Sequence, residues 1–279
     1  MLVTGACGSL GASLTSLLAS RGTEVYATDL RPPPAGSDAA AAIVPLDMDV
    51  ASGDSVARAS ESLQAQGIQL DAVVCAAGLY VGGPLVEVSA EEMLRALEVN
   101  AVGPMRVVGA FFPMLRRPGG RIVLVSSEST RSIMPFTGPY AASKRALEAY
   151  ADALRREVSL LGVHVVVIQP GAFRSPFHEA AARSLDRGSR TPAWRGALAR
   201  GRRILEHDVQ AGMDPSAVAR VIARALVCRR PRRRYRVGND RGRALLSRLP
   251  VSWADAIVKV VLARTRTAEP RRGPAPPEK

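Results

Sequence analysis

A tyrosine, a lysine and a serine in the middle of the chain have the types and spacing of a proton-transfer site. Tyr140 and Lys144 are four residues apart, so on a helix they share one face. A nearby ammonium favours an ionised phenol, and lowering a phenol pKa from about 10 to near 7 takes roughly 4 kcal/mol. Ser127 follows an expected strand, where its hydroxyl can donate to a reacting oxygen. Exposed helices also carry Tyr and Lys by chance, so the surrounding elements must support this interpretation.

A glycine-rich turn near the start of the chain predicts a nucleotide site. Gly5, Gly8 and Gly11 lie between an expected buried strand at Met1–Val3 and a helix that runs to about Ser20. Glycines let the backbone approach a pyrophosphate, and the helix N-terminus offers it free N–H groups. The alternative is a turn of small residues that holds no ligand.

Strand and helix patterns alternate along the chain and predict an α/β fold. We expect a single Rossmann-like, doubly wound domain over residues 1–264, with a parallel sheet of about seven strands and helices on both faces. Asp54 or Ser55 is expected to cap one helix, Ser89 and Glu92 to form a capping box, and Asp214-Pro215 to begin another helix. Residues 172–213 are predicted to be an irregular substrate lid, and residues 265–279, rich in Arg and Pro, a disordered tail.

The charge of the chain is concentrated in one region. The net charge is +13, and the stretch from Arg183 to Arg243 holds seventeen arginines, no lysine and five acidic residues. A solvated surface, an anionic substrate or carrier, and an acidic lipid surface are all compatible with it. We expect no nucleic acid, because few aromatic residues accompany the arginines, and an edge strand at 229–236 with an outward basic face.

The remaining composition predicts a cytoplasmic protein without a metal. No apolar run is long enough to span a bilayer, and no signal-peptide pattern begins the chain. Cys7, Cys75 and Cys228 lack metal-ligand spacing and are expected to be free thiols. The amphipathic segment 251–262 is compatible with three roles: a cap on the substrate pocket, a subunit contact, or peripheral contact with a membrane.

Taken together, Ser127, the block Tyr140-Ala141-Ala142-Ser143-Lys144, the glycine-rich start and Pro170-Gly171 resemble the classical short-chain dehydrogenases/reductases. The resemblance extends to about Gly238 and is nearest to the hydroxysteroid and retinol dehydrogenase branch. It implies that Tyr140 is the general acid/base, that Lys144 lowers its pKa and holds the nicotinamide ribose, that Ser127 positions the substrate oxygen and that Asn100 completes a proton relay.

Two positions in these motifs, Ser9 and Ala76, depart from the usual pattern of that family. Ser9 stands where a glycine is usual, and Gly8 instead fits the extended, epimerase-like branch. Ala76 stands where the family usually has an asparagine whose amide braces the central strands. These departures leave open a catalytically silent NAD-binding scaffold or sensor.

We expect NAD(H) as the preferred cofactor, with NADP(H) possible. A carboxylate at Asp29 can accept both ribose hydroxyls and repel a 2′-phosphate, whereas Arg31 would favour that phosphate. The resemblance assigns Asp49 to the adenine amino group and Ser175 to the carboxamide. The full expected set of cofactor contacts is Gly5, Cys7, Gly8, Ser9, Leu10, Gly11, Asp29, Leu30, Asp49, Val50, Ala76, Ala77, Gly78, Tyr140, Lys144, Pro170, Gly171, Phe173 and Ser175.

The resemblance implies reversible hydride transfer between a secondary alcohol, steroid-like or otherwise lipophilic, and its ketone. Reduction of a 3-oxoacyl thioester is the alternative, suggested by the basic lid. Besides Ser127 and Tyr140, Phe177 and Trp194 are the expected substrate contacts. A homodimer or homotetramer is expected, because in many relatives the helix after Tyr140 packs against its copy.

Overall fold

Seven short strands rich in β-branched residues pair side by side into one sheet. The structure, a computed structural model, describes residues 1–31, 42–186 and 190–263. The strands are β1 Leu2–Thr4, β2 Val25–Asp29, β3 Ile43–Asp47, β4 Ala72–Cys75, β5 Arg121–Val125, β6 His164–Pro170 and β7 Arg234–Val237. Their order is β3-β2-β1-β4-β5-β6-β7, and every neighbouring pair is parallel. The predicted doubly wound parallel sheet is confirmed.

Helices cover both faces of this sheet. They are α1 Ser9–Ala19, α2 Gly53–Ala65, α3 Ala90–Leu97, α4 Gly103–Phe111, α5 Gly138–Val158, α6 Pro176–Asp186, α7 Arg195–Gln210, α8 Pro215–Val227, α9 Arg241–Leu246 and α10 Val251–Ala263. Leu14 of α1 and Ile222 of α8 are fully buried in the core on one face. Phe111 of α4 and Leu147 of α5 are buried in the core on the other. The two cores hold the carboxyl ends of the strands in fixed positions along one edge.

Local capping signals predicted two helix starts correctly and one incorrectly. Ser89 and Glu92 form the predicted capping box of α3, and the Asp214 side chain accepts a hydrogen bond from the Ser216 N–H at the start of α8. The α2 prediction was wrong, because Ser52, and neither Asp54 nor Ser55, is the N-cap: its hydroxyl accepts from the Ser55 N–H at 3.2 Å. The cap residue must be extended, and Ser52 is, with a φ of −106° and a ψ of 116°.

The expectation of an irregular segment before residue 213 was wrong. Apart from residues 187–189, which lie outside the described residues, this part of the chain consists mainly of α6 and α7. Pro176 takes the first position of α6, where its missing N–H costs no hydrogen bond. Gly201 lies inside α7, and a β-carbon there would be 3.5 Å from the Phe136 ring, an ordinary contact distance. Pro176 and Gly201 are therefore both accommodated in helices.

The edge strand β7 also differs in detail from its prediction. Arg234 does not face outward as expected: its guanidinium donates to Asp152 of α5 at 2.7 Å and lies 3.5 Å from Glu148. Arg236 is exposed. The predicted tail at 265–279 and the Pro32-Pro33-Pro34 loop lie outside the described residues.

Candidate active site

A groove of about 570 Å³ runs along the carboxyl edge of the sheet. It spans β1 and β4, where the strand order reverses, which is the usual ligand position in open α/β sheets. All of the residues predicted to contact a cofactor line this groove except Gly11. The structure thus brings together residues that are up to 170 positions apart in the sequence, from Gly5 to Ser175.

Gly11 serves the turn itself. It is buried in α1, and a β-carbon there would lie 2.1 Å from the carbonyl oxygen of Gly5. Gly5 has a φ of +69°, in the left-handed region that favours glycine. The tight return of the chain from β1 into α1 therefore depends on both glycines, and the expected contact of Gly11 with a cofactor stays a prediction.

The start of α1 fits an anion. Its N-cap, Gly8, has no side chain to accept the first helical N–H groups, and Gly8, Ser9 and Leu10 all line the groove. Free N–H groups and the positive end of the helix dipole favour a phosphate at such a terminus. A pyrophosphate is therefore compatible with the residues present, including Ser9 in place of glycine.

Asp29 fixes the far wall of the groove at the end of β2. Its carboxylate accepts hydrogen bonds from the Cys7 N–H at 2.9 Å and from the Leu30 N–H at 2.8 Å. The Cys7 thiol donates in turn to the Arg31 carbonyl at 2.9 Å. Arg31 is itself exposed. The glycine-rich turn and the end of β2 are therefore bonded to each other around one carboxylate.

A threonine bonds to the strand end at which the family's asparagine is missing. The Thr4 hydroxyl accepts from the N–H groups of both Ala76 and Ala77 at 3.1 Å. These bonds join the ends of β1 and β4, the two strands that flank the reversal point. The change to Ala76 therefore leaves no buried N–H unpaired here.

Ser127, Tyr140 and Lys144 are buried together at the middle of the groove. Tyr140 and Lys144 lie on the first turns of α5, and Ser127 follows β5. The Ser127 hydroxyl is 3.2 Å from that of Ser129. The Lys144 ammonium donates to the Val125 carbonyl at 2.9 Å and lies 5.9 Å from the centre of the Tyr140 ring. The three predicted side chains thus converge.

Burial dominates the protonation of this trio. Burial raises the pKa of Tyr140 to about 12, and hydrogen bonding with Ser127 offsets this only in part. Burial lowers the pKa of the Lys144 ammonium to about 8, partly offset by Cys75. In the chain by itself, burial therefore keeps the Tyr140 phenol protonated at neutral pH. The lowering of this pKa by Lys144 that the resemblance implies stays a prediction for the cofactor complex.

Asn100 lies in a π-helical turn, Glu98–Val102, between α3 and α4. Its side chain is 0% exposed. The side-chain amide donates hydrogen bonds to the Leu79 carbonyl at 2.7 Å and to the Ser143 hydroxyl at 2.9 Å. The side-chain carbonyl accepts a hydrogen bond from the Leu79 N–H at 2.8 Å. A local distortion with a buried network was expected here and is present. Among the described residues the Asn100 side chain bonds the strand exit and the residue next to Lys144, rather than Lys144 itself.

A second, apolar pocket of about 100 Å³ adjoins the groove. Phe177 lines both cavities, as predicted for a substrate contact. Trp194 does not line the pocket; it packs against Phe136, with ring centres 5.7 Å apart. Tyr80, which the sequence analysis missed, lines the pocket with its ring centre 5.2 Å from that of Tyr140. Its position just after the β4 exit is the signal that could have identified it.

One wall of this pocket is charged. Arg243 donates to the carboxylates of Glu128, at 2.7 Å, and of Asp208, and the Glu128 carboxylate also accepts from the Asp240 N–H at 3.0 Å. Glu128 is buried directly beside Ser127. This cluster joins residues 115 positions apart, and local sequence patterns gave no signal of it.

The site can position an oxygen-bearing carbon between a proton donor and a nucleotide groove. Within the described residues no three His, Cys, Asp or Glu side chains are grouped to hold a metal ion, and Cys7, Cys75 and Cys228 are free thiols. No helix in the described part of the chain is both long and apolar enough to cross a membrane. Proton transfer is the chemistry that the buried Ser127, Tyr140 and Lys144 side chains can themselves supply.

Comparison with known proteins agrees with this geometry. The family model described as short chain dehydrogenase matches residues 1–185. The chain is 33% identical to 17-beta-hydroxysteroid dehydrogenase type 1 of Homo sapiens over 84% of this chain and 76% of the relative. It is 30% identical to retinol dehydrogenase 5 of Homo sapiens over 96% of this chain and 90% of the relative.

Solved structures show the same fold. A crystal structure of a short-chain dehydrogenase from Streptomyces avermitilis is 25% identical, has a TM-score of 0.76, and covers 94% of this chain and 96% of its own. Structures that share this fold were solved with NAD in one case and NADPH in another. Taken with the buried Ser127, Tyr140 and Lys144, these matches show that the chain belongs to the short-chain dehydrogenase family of oxidoreductases and has hydroxysteroid and retinol dehydrogenases among its relatives.

Proposed function

We propose that this enzyme transfers a hydride reversibly between a secondary alcohol of lipophilic, steroid-like character and its ketone. One observation carries the proposal: Ser127 and Tyr140 line both the groove and the adjoining apolar pocket. A carbonyl carbon in that pocket would meet the two hydroxyl groups on the side that faces the groove. A nicotinamide dinucleotide bound in the groove would supply or accept the hydride.

Each polar side chain has a separate task in this proposal. Tyr140 exchanges a proton with the substrate oxygen, and Ser127 donates a hydrogen bond that positions that oxygen. Lys144 would hold the nicotinamide ribose, and Asn100 fixes the chain around Leu79 and Ser143 so that Lys144 keeps its place. The departures at Ser9 and Ala76 affect none of these four groups.

The raised pKa of Tyr140 favours ketone reduction as the direction at neutral pH. With a pKa of about 12 the phenol is protonated there and can donate its proton directly to a substrate oxygen. Alcohol oxidation requires the phenol to lose that proton first. We therefore expect reduction to be the faster direction at pH near 7 and oxidation to gain as the pH rises.

We propose NAD(H) as the preferred cofactor. The Asp29 carboxylate, held by two N–H groups, stands where an adenosine ribose would lie and would repel a 2′-phosphate. Asp29→Ser should shift the NADH to NADPH ratio of kcat/KM by about tenfold towards NADPH. Arg31→Ser is the matched control and should move the ratio the opposite way; an unchanged ratio in both variants contradicts the assignment.

The substrate class is proposed from the lining of the pocket. Tyr80, Phe136, Phe177 and Leu185 give it an aromatic and aliphatic lining that favours an apolar substrate. The test compares initial rates with hydroxysteroids, retinol and 3-oxoacyl thioesters under NAD(H). Higher rates with the hydroxysteroids or retinol support the proposal, provided that Phe177→Ala raises the KM for those substrates and so removes the preference. Preference for thioesters establishes the alternative, and tight cofactor binding without turnover in any arm establishes the silent scaffold.

We also propose that the enzyme works in the cytoplasm as a homodimer or homotetramer. Helix α5 carries small side chains at Ala142, Ala146, Ala149 and Ala153, a helical spacing that leaves one partly exposed face without bulky groups. Such a face allows two copies of α5 to pack closely. Sedimentation equilibrium of wild type and Ala149→Arg tests it: the variant should dissociate, and an unchanged mass would place the contact elsewhere.

A further inference from the structure

Helix α10 exposes an apolar face. Its partly buried side, Ala254 and Val258, lies against the body of the protein, where α10 packs on α7. Trp253, Ile257 and Val260 lie on the opposite side with exposures of 66%, 45% and 52%. Their spacing of four and three residues places them in one stripe. Large apolar side chains exposed in a continuous stripe mark a surface that is covered in use.

Positive charge lies on α7, the helix against which α10 packs. Arg200, Arg203 and His207 of α7 line a shallow depression of about 300 Å³ together with Ile204. Ile204 also lines the apolar pocket alongside Leu262 of α10, which places the depression beside that helix. Among the described residues, no carboxylate pairs with Arg200 or Arg203, and the buried Nε of Arg200 has no hydrogen-bond partner. The depression is therefore suited to an anionic oxygen group.

We propose that α10 and this basic depression together bind the surface of an anionic lipid membrane. The apolar stripe matches the acyl region, the adjacent arginines match lipid phosphates, and tryptophan is favoured at the boundary between the two. The excess of arginine between Arg183 and Arg243 adds long-range attraction to such a surface.

A second copy of the chain fits this surface less well. A two-fold contact through α10 would bring the Arg200 and Arg203 pair of one copy towards the same pair of the other, and like charges across an interface are unfavourable. An acidic carrier protein would satisfy the charges and leave the stripe of Trp253 without an apolar partner. Leu262 of α10 lines the apolar pocket, so this helix would lie between the pocket and the bilayer. The value of that position for a lipophilic substrate rests on the proposed function.

Vesicle sedimentation of the full chain tests the proposal without any substrate. Wild type should bind phosphatidylcholine vesicles that contain about 30% phosphatidylserine at least tenfold better than pure phosphatidylcholine, and added salt should weaken the binding. Two double variants should each reduce binding about tenfold or more: Trp253→Ser/Ile257→Ser in the stripe, and Arg200→Gln/Arg203→Gln in the depression. Leu160→Ser, at a site that is 88% exposed outside this surface, is the control and should bind as wild type does.

Two outcomes overturn the proposal. The first is a wild-type chain that binds neither vesicle, or a Trp253/Ile257 variant that binds as well as wild type. The second is a Trp253/Ile257 variant whose mass in sedimentation equilibrium falls below that of wild type, because a second copy then covers α10. Arg200 is half-buried and the other substituted positions are exposed, and circular dichroism should show an unchanged fold for every variant.

Discussion

A buried ammonium next to the proton donor should cost this protein stability at neutral pH. Lys144 is 4% exposed, and its pKa is about 8 in the folded chain against an ordinary 10.5. The charged form is thus disfavoured in the folded state relative to the unfolded one. Because protonation is coupled to folding, this penalty is fully present below pH 8. It disappears as the pH rises from 8 to 10.5.

The size of the effect follows from those two values. The penalty is about 3 kcal/mol at pH near 7 and about 1 kcal/mol at pH near 9.5, so wild type regains roughly 2 kcal/mol across that interval. Lys144→Met removes the penalty and gives up about 1 kcal/mol for the hydrogen bond to Val125. We therefore expect the variant to be about 2 kcal/mol more stable than wild type at pH near 7.

Urea denaturation of the chain without added ligand, at both pH values, measures this difference. Subtracting the free energy of unfolding of wild type from that of the variant cancels the contributions of groups that titrate in both proteins. Arg145→Met, at the exposed neighbour on α5, is the control and should change the free energy of unfolding by less than about 0.5 kcal/mol at either pH. A difference between wild type and Lys144→Met that is the same at the two pH values would refute the reasoning.

Two further predictions concern the frame of the site. Asn100→Ala should lower the free energy of unfolding by about 3 kcal/mol, because it removes three hydrogen bonds and leaves the Leu79 N–H unpaired. A loss below about 1 kcal/mol in urea denaturation would contradict this prediction. Gly11→Ala should cost at least about 2 kcal/mol, because its β-carbon would lie 2.1 Å from the Gly5 oxygen, whereas Gly109→Ala in α4, with nothing within 4 Å, should be neutral or stabilising. Equal thermal shifts for the two glycine variants would show that the tight turn tolerates a side chain.

The sequence was sufficient for elements whose signals are local. The alternation of buried strands and helices predicted the parallel sheet, and Ser89 with Glu92 predicted a capping box that the structure contains. Tyr140 and Lys144 were found because a spacing of four residues on a helix places two side chains on one face. Ser127 was found because parallel strands end at a common edge, so a polar residue after a strand exit lies at the site.

Contacts between distant residues explain most of what was missed. The pairing of Arg243 with Glu128 and that of Arg234 with Asp152 join positions 115 and 82 residues apart, and a row of arginines gives no sign of its partners. The helix α7 was not predicted, and its Gly201 lies near Phe136, a tertiary contact that local sequence does not reveal. The pKa of Tyr140 shows the same limit, because spacing reveals a nearby lysine, whereas the burial that raises this pKa depends on tertiary contacts.

The central claim is that the Tyr140 phenol exchanges a proton with the substrate during hydride transfer. Its most direct test is the single-turnover rate of ketone reduction, followed through the absorbance of the reduced nicotinamide, in wild type and Tyr140→Phe, with Tyr150→Phe on the same helix as the control. The account predicts a loss of about 10²-fold or more for Tyr140→Phe, with cofactor affinity by calorimetry changed less than about threefold and the control near wild type. A Tyr140→Phe variant that keeps most of the wild-type rate would contradict it.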